Sequence, residues 1–148
     1  MSPIKSPSET AQRMRAAVLV ADDDSSVRGA VMVILAGKFE VQEAAGGRDA
    51  LDAMALASPD LLILDLSMPD MGGIEVLTEV RRTNPDLPVL ILTAENDVGQ
   101  AVRALDLGAK TYLTKPFEPS VLMEEVVRAL AGSPDPAKAS ARPWRVVT

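Results

Sequence analysis

Residues 61–65 read LLILD, four consecutive apolar residues followed directly by a carboxylate. A strand with one face in water alternates apolar and polar side chains, whereas a strand buried on both faces of a parallel sheet is apolar throughout. The run therefore predicts an inner strand of a parallel sheet, with Asp65 at its carboxyl end. Similar runs of strand length recur at 17–21, 39–44, 89–92 and 111–114.

Segments of helical length separate these runs. Five alternating strand and helix units predict an α/β fold, a doubly wound (βα)5 parallel sheet with helices on both faces, because such crossovers are short and right-handed. We place this body at 17–132. The stretches 1–16 and 133–148, rich in proline, serine and charge, are predicted to be flexible tails with no output domain. The helical segments are 26–37, 47–57, 73–83, 98–107 and 119–131.

Composition excludes several kinds of site and partner. The chain has no cysteine and no histidine, so a disulfide, a cysteine nucleophile and a histidine base are all absent, and any phosphohistidine must lie on a partner. The net charge is −6, and since each predicted tail carries +2, the body carries −10. Such an acidic body predicts no direct contact with nucleic acid. We expect a cytoplasmic protein without membrane contact, because no apolar run reaches the ~18 residues that a membrane helix needs.

Polar residues follow four of the predicted strands at the edge where parallel sheets bind ligands. The triplet Asp22-Asp23-Asp24 alone has three explanations that stay open: a helix cap, a solvated turn or a divalent cation. Asp65, Thr93 and Lys115 end the other three strands, and each alone could be a cap or a solvated charge. Together they supply carboxylates, a hydroxyl and an ammonium, which is what an anionic phosphoryl group with Mg²⁺ requires.

Four segments in the expected order make the chain resemble a response regulator receiver domain of two-component signalling. The resemblance covers about 17–132 and implies the strand order 2-1-3-4-5 of the chemotaxis regulators. It also implies a phosphoprotein that takes a phosphoryl group from a histidine kinase or phosphotransfer protein and then controls an effector protein, rather than an enzyme acting on other substrates. The segments are VLVADD (18–23), LLILDLSMPDMGG (61–73), VLILTA (89–94) and GAKTYLTKPF (108–117).

The resemblance implies a role for each matching residue. Asp65 would accept the phosphoryl group, and Mg²⁺ or Mn²⁺ would bind to Asp22, Asp23, Asp65 and the backbone carbonyl of Ser67. The phosphoryl oxygens would be held by Thr93, the Ala94 backbone N–H and Lys115. Thr93 and Tyr112 would form the switch, and the Lys115–Pro116 peptide bond would be cis. Asp24 matches no ligand position, and we assign it to helix capping or solvent.

Two other functions remain open from the sequence. An aspartyl-nucleophile phosphatase would use the same Asp and Mg²⁺ chemistry, but it needs a second Asp where Ser67 stands. A pseudo-receiver would keep the fold as a binding module without phosphorylation. The output surface is expected at the fourth helix, fifth strand and fifth helix, with an ordinary solvated face as the alternative. Its candidate residues are Arg103, Asp106, Lys110, Tyr112, Glu124 and Arg128.

Overall fold

The computed structural model describes residues 15–131. The predicted tails therefore lie outside the described residues, apart from Arg15 and Ala16. None of the helices in the described range is long and apolar enough to span a membrane.

Five strands and five helices alternate along this range, as predicted. The strands are β1 Ala17–Ala21, β2 Glu40–Ala44, β3 Leu61–Asp65, β4 Val89–Ala94 and β5 Thr111–Lys115. The helices are α1 Ser25–Leu35, α2 Gly47–Leu56, α3 Gly73–Thr83, α4 Val98–Asp106 and α5 Pro119–Ala131, and a short 3₁₀ turn at Glu95–Asp97 precedes α4. The strands form one parallel sheet in the order β2-β1-β3-β4-β5, which confirms the predicted fold and strand order.

Two apolar cores, one on each face of the sheet, explain why the inner strands are apolar throughout. Successive residues of β3 point to opposite faces, so that Leu62 and Leu64 pack beneath α2, α3 and α4, while Leu61 and Ile63 pack beneath α1 and α5. All four side chains are fully buried. The centre of the sheet, where the site residues emerge, is therefore packed on both faces.

The element boundaries agree with the sequence prediction to within two residues, and the differences lie at the ends of both strands and helices. Strand β2 begins at Glu40 rather than Phe39. Strands β3, β4 and β5 continue to Asp65, Ala94 and Lys115, because each of these residues still pairs with the neighbouring strand. The backbone of these site residues is thus held by the sheet and not by a loop.

Candidate functional site

The register of the sheet brings the predicted site residues to one edge. Ala21 pairs with Leu64, so Asp22 leaves β1 beside the end of β3. Asp65 pairs with Leu92, one residue before Thr93, and Ala94 pairs with Lys115. Because all five strands are parallel, their carboxyl ends meet here, as the sequence predicts.

Three carboxylates form the centre of this edge. Asp22 is fully buried, Asp65 is 2% exposed, and Asp23 is exposed. Each offers one oxygen, and these three oxygens lie within 4.8 Å of one another. The cluster is therefore closed on the protein side and open to solvent at Asp23.

Lys115 links the two buried carboxylates. Its Nζ lies 3.0 Å from Asp22 Oδ2 and 3.2 Å from Asp65 Oδ1, where it donates a hydrogen bond. Burial lowers the pKa of Lys115, but the contact with Asp22 and the negative charges of both carboxylates outweigh it, so the pKa lies above its usual value. The ammonium stays charged, and its pairing with two buried carboxylates shows that it is not merely a solvated strand-end charge.

Burial and the neighbouring charge of Asp22 raise the pKa of Asp65, against the attraction of Lys115 and a hydrogen bond from the Ser67 backbone N–H. That N–H donates to Asp65 Oδ1 over 3.2 Å. Within residues 15–131, the hydrogen bonds to this carboxylate fall on Oδ1. Oδ2 accepts no hydrogen bond from these residues and is therefore available to react or to bind a cation.

The donor set fits a small divalent cation. Asp22 Oδ2 is buried and accepts no well-directed hydrogen bond from any residue of the described range, although Lys115 lies close to it. A buried carboxylate oxygen without a hydrogen bond is costly unless another cation or water satisfies it. Mg²⁺ and Mn²⁺ prefer such oxygen ligands, and Mg²⁺ keeps several waters, for which the exposed side of the cluster leaves access.

The acidic triplet has two separate roles. Asp22 Oδ1 accepts a hydrogen bond from the Asp24 backbone N–H at 2.9 Å, which fixes the turn after β1. The Asp24 side chain caps α1 by accepting from the backbone N–H and hydroxyl of Ser26, which lowers the pKa of Asp24. The assignment of Asp24 to capping is confirmed.

The remaining predicted residues surround the carboxylates. The Thr93 hydroxyl is buried and donates to the backbone carbonyls of Ala94 and Asp97, so Thr93 does not cap the following helix. Ser67 and Ala94 are exposed, while Tyr112 is half-buried against the core beneath α4. The Lys115–Pro116 bond is cis, as the resemblance implies.

Sequence reasoning missed two residues beside the site. Arg28 of α1 donates through Nη1 to the Asp22 carbonyl at 2.6 Å and through Nε to Glu43 at 2.9 Å. Asp70, in the loop after β3, accepts two hydrogen bonds from the backbone of α2. The Arg28–Glu43 contact and the two Asp70 contacts join residues 15, 23 and 22 positions apart, which local sequence patterns do not reveal.

A model of the response regulator receiver domain family matches residues 18–127, most of the described chain. The chain belongs to this family. A response regulator named MprA from Mycolicibacterium vanbaalenii is 45% identical over 101 residues, which are 68% of this chain and 44% of that protein. The chain spans about half the length of the curated relatives it matches.

Solved receiver structures share the architecture of this receiver domain. The receiver domain of NtrX from Brucella abortus has a TM-score of 0.75 at 31% identity, covering 77% of this chain and 98% of that one. The chemotaxis protein CheY4 from Vibrio cholerae has a TM-score of 0.73 at 36% identity, covering 78% of this chain and 98% of that one. The match over nearly the whole of both solved chains shows that this chain has the family fold.

Proposed function

We propose that Asp65 is the phosphoacceptor of this receiver domain and that its phosphorylation controls an effector protein. The observation that supports this most strongly is the placement of Asp65 Oδ1 within 3.2 Å of the Lys115 ammonium, beside two further carboxylates at the carboxyl edge of the sheet. The phosphohistidine that donates the phosphoryl group lies on a kinase or phosphotransfer protein, since this chain contains no histidine.

Asp65 Oδ2 acts as the nucleophile because both hydrogen bonds to this carboxylate occupy Oδ1. In the transfer, a new bond forms between this oxygen and phosphorus, while the phosphorus–nitrogen bond of the donor breaks and its electron pair stays on the imidazole. The product is an acyl phosphate, an established covalent use of a carboxylate. The pKa of Asp65 is raised by burial, so the Lys115 ammonium matters for keeping the attacking carboxylate ionised.

The cation site consists of Asp22, Asp23, Asp65 and the Ser67 backbone carbonyl. When bound, Mg²⁺ or Mn²⁺ supplies charge neutralisation between the carboxylates and the incoming phosphoryl oxygens. Lys115, Thr93 and the Ala94 N–H supply donors for those oxygens. Thr93 must leave the carbonyl of Asp97 to do so, which would move the start of α4.

This movement connects the site to the output surface. Tyr112 lies in β5 beside α4 and is half-buried, so a displacement of Thr93 changes the space available to its ring. We place the effector surface on α4, β5 and α5, where Arg103, Asp106, Glu124 and Arg128 are exposed. Lys110 instead donates to the Ala129 carbonyl and ties β5 to α5.

The cellular location, the absence of a substrate of its own, the domain boundaries and the lack of nucleic-acid contact are also proposals. We place the protein in the cytoplasm as a switch rather than an enzyme with its own substrate, because Ser67 occupies the position where a phosphatase of this chemistry carries its acid. The boundaries 17–132, the flexible tails and the lack of nucleic-acid contact also stay predictions, since the chain matches only about half of its MprA relatives.

Incubation with acetyl phosphate and Mg²⁺ tests the proposal. Intact mass spectrometry should show one base-labile phosphoryl adduct in the wild type and none in Asp65→Asn. The matched control is Asp52→Asn, which removes an exposed carboxylate of α2 and should leave the adduct unchanged. An adduct that persists in Asp65→Asn, or a wild type that acquires none, would contradict the assignment.

A further inference from the structure

The loop between β3 and α3, residues 66–72, is fastened to the neighbouring helix α2 by one carboxylate. Asp70 Oδ1 accepts a hydrogen bond from the Gly47 N–H at 3.1 Å, and Oδ2 accepts from the Arg48 N–H at 3.0 Å. Gly46 occupies the N-cap position of α2 and has no side chain with which to cap it. Asp70 therefore caps α2 from another part of the chain.

The backbone at the start of α2 is shaped for this contact. A Cβ on Gly46 would lie 2.7 Å from Asp70 Oδ1, and a Cβ on Gly47 would lie 2.7 Å from a methyl group of Val76 and 2.8 Å from Met71 Cβ. A side chain at Gly46 would displace the Asp70 carboxylate, and one at Gly47 would push against Val76 and Met71. The two glycines permit a close approach that Asp70 then holds.

The same loop is fixed at its base. The Gly73 N–H donates to the Leu66 carbonyl at 3.1 Å, and the Ser67 N–H donates to Asp65 Oδ1. Met68, the next residue, is buried in the core. Ser67 thus lies between a base joined to Asp65 and a tip joined to α2, although its own side chain is exposed.

We propose that Asp70 is a positioning residue for the cation site, which holds the loop so that the Ser67 carbonyl stays directed at the cation. The inference rests on the proposed function, in which that carbonyl is a ligand. A backbone ligand has no rotamer of its own, so its direction depends entirely on the path of the loop. Losing the contact to α2 leaves the loop tied only at its base.

Cation affinity measured by calorimetry with Mg²⁺ alone tests the inference. Partners that orient a metal ligand commonly change affinity by 10–100-fold, and we expect Asp70→Ala to weaken Mg²⁺ binding about tenfold. Asp70→Asn keeps one acceptor oxygen and should fall between Asp70→Ala and the wild type. Ala30→Gly is the control, because it weakens an exposed turn of α1 on the other face of the sheet without touching the loop.

Phosphorylation by acetyl phosphate provides a second readout that general destabilisation would not produce. In Asp70→Ala the Mg²⁺ concentration for half-maximal rate should rise, while the rate at saturating Mg²⁺ stays near that of the wild type. Amide hydrogen exchange at Gly47 and Arg48 should accelerate in the same variant, as expected when their acceptor is removed.

The outcomes separate this inference from the proposed function. An Mg²⁺ affinity of Asp70→Ala equal to that of Ala30→Gly, or unchanged exchange at Gly47 and Arg48, would overturn the role of Asp70. A wild type that binds Mg²⁺ without becoming phosphorylated would refute the proposed function alone, and the calorimetry would still decide the role of Asp70. A wild type that binds no Mg²⁺ would overturn both.

Discussion

Asp22 and Asp65 are two buried carboxylates that share a single ammonium, so one negative charge between them stays uncompensated. Burial and the charge of Asp22 raise the pKa of Asp65, which means that ionised Asp65 destabilises the native state without a cation. In a buffer that contains a chelator at neutral pH, we expect the free energy of unfolding of Asp65→Asn to exceed that of the wild type by on the order of 1 kcal/mol. Urea unfolding measures this, and Asp52→Asn, at an exposed position, should change it by less than ~0.5 kcal/mol.

The raised pKa of Asp65 also determines how the stability difference between Asp65→Asn and the wild type changes with pH. Because the pKa of Asp65 is raised, its proton binds more tightly to the folded chain than to the unfolded one. The free energy of unfolding of the wild type therefore falls, relative to that of Asp65→Asn, as the pH rises through the folded pKa. The advantage of Asp65→Asn should therefore vanish below the unfolded pKa of an aspartate, about 4. An advantage that stayed constant down to that pH would point to packing rather than to charge.

At the scale of single residues, the sequence predicts what emerges from a strand but not what crosses between loops. Asp22, Asp65 and Lys115 meet because parallel strands in register end together, and the apolar runs before them reveal those strands. Asp70 caps α2 by accepting hydrogen bonds from the backbone of Gly47 and Arg48, which lie 23 and 22 positions earlier in the chain. This contact requires the close approach of the loop after β3 to the start of α2. Nothing in local spacing encodes that approach, although the adjacent glycines 46 and 47 are compatible with it.

At the scale of elements, two glycines at helical positions should respond oppositely to alanine. Gly73 begins α3, and a Cβ there would lie 2.6 Å from the Asp65 carbonyl oxygen and from Leu66 Cα, both backbone atoms. Gly73→Ala should lower the free energy of unfolding by about 1–3 kcal/mol. Gly29 lies inside α1 with nothing within 4 Å of such a Cβ, so Gly29→Ala should raise it by about 0.5–1 kcal/mol.

Urea unfolding of both glycine variants checks this pair. If Gly73→Ala raised the free energy of unfolding, the start of α3 would be able to shift and accommodate the added methyl group. The loop after β3 would then be held less tightly than its contacts indicate. Gly73→Ala should also weaken Mg²⁺ binding, since the clash lies against the backbone of Asp65 and Leu66.

The predictability of the elements follows from their burial. Strands β1, β3 and β4 are almost entirely buried, so their unbroken apolar runs set their positions within one or two residues. Strand β2 lies at an edge and is mostly exposed, which leaves its start at Glu40 less clearly marked. Helix α1 begins at Ser25 because Asp24 caps it, one residue before the predicted start.

At the scale of the whole molecule, the cation site makes stability depend on Mg²⁺. A ligand that binds only the folded state at ten times its Kd adds about 1.4 kcal/mol to the free energy of unfolding. We expect this increment for the wild type in urea unfolding with and without Mg²⁺, and its loss in Asp23→Ala, which removes the exposed ligand of the cluster.

Lys115→Ala distinguishes the cation site from the phosphoryl site over the whole molecule. The ammonium lies 3.0 Å from Asp22 and 3.2 Å from Asp65, so it competes electrostatically with any cation bound to the same oxygens. Removing it cannot weaken that attraction, and the Mg²⁺ increment should be retained or enlarged in Lys115→Ala while phosphorylation by acetyl phosphate slows. If the increment disappeared in this variant, Lys115 would be holding the carboxylates in place for the cation. Lys115 contacts both buried carboxylates. The effect of Lys115→Ala on the Mg²⁺ increment therefore distinguishes electrostatic competition with the cation from positioning of the carboxylates that bind it.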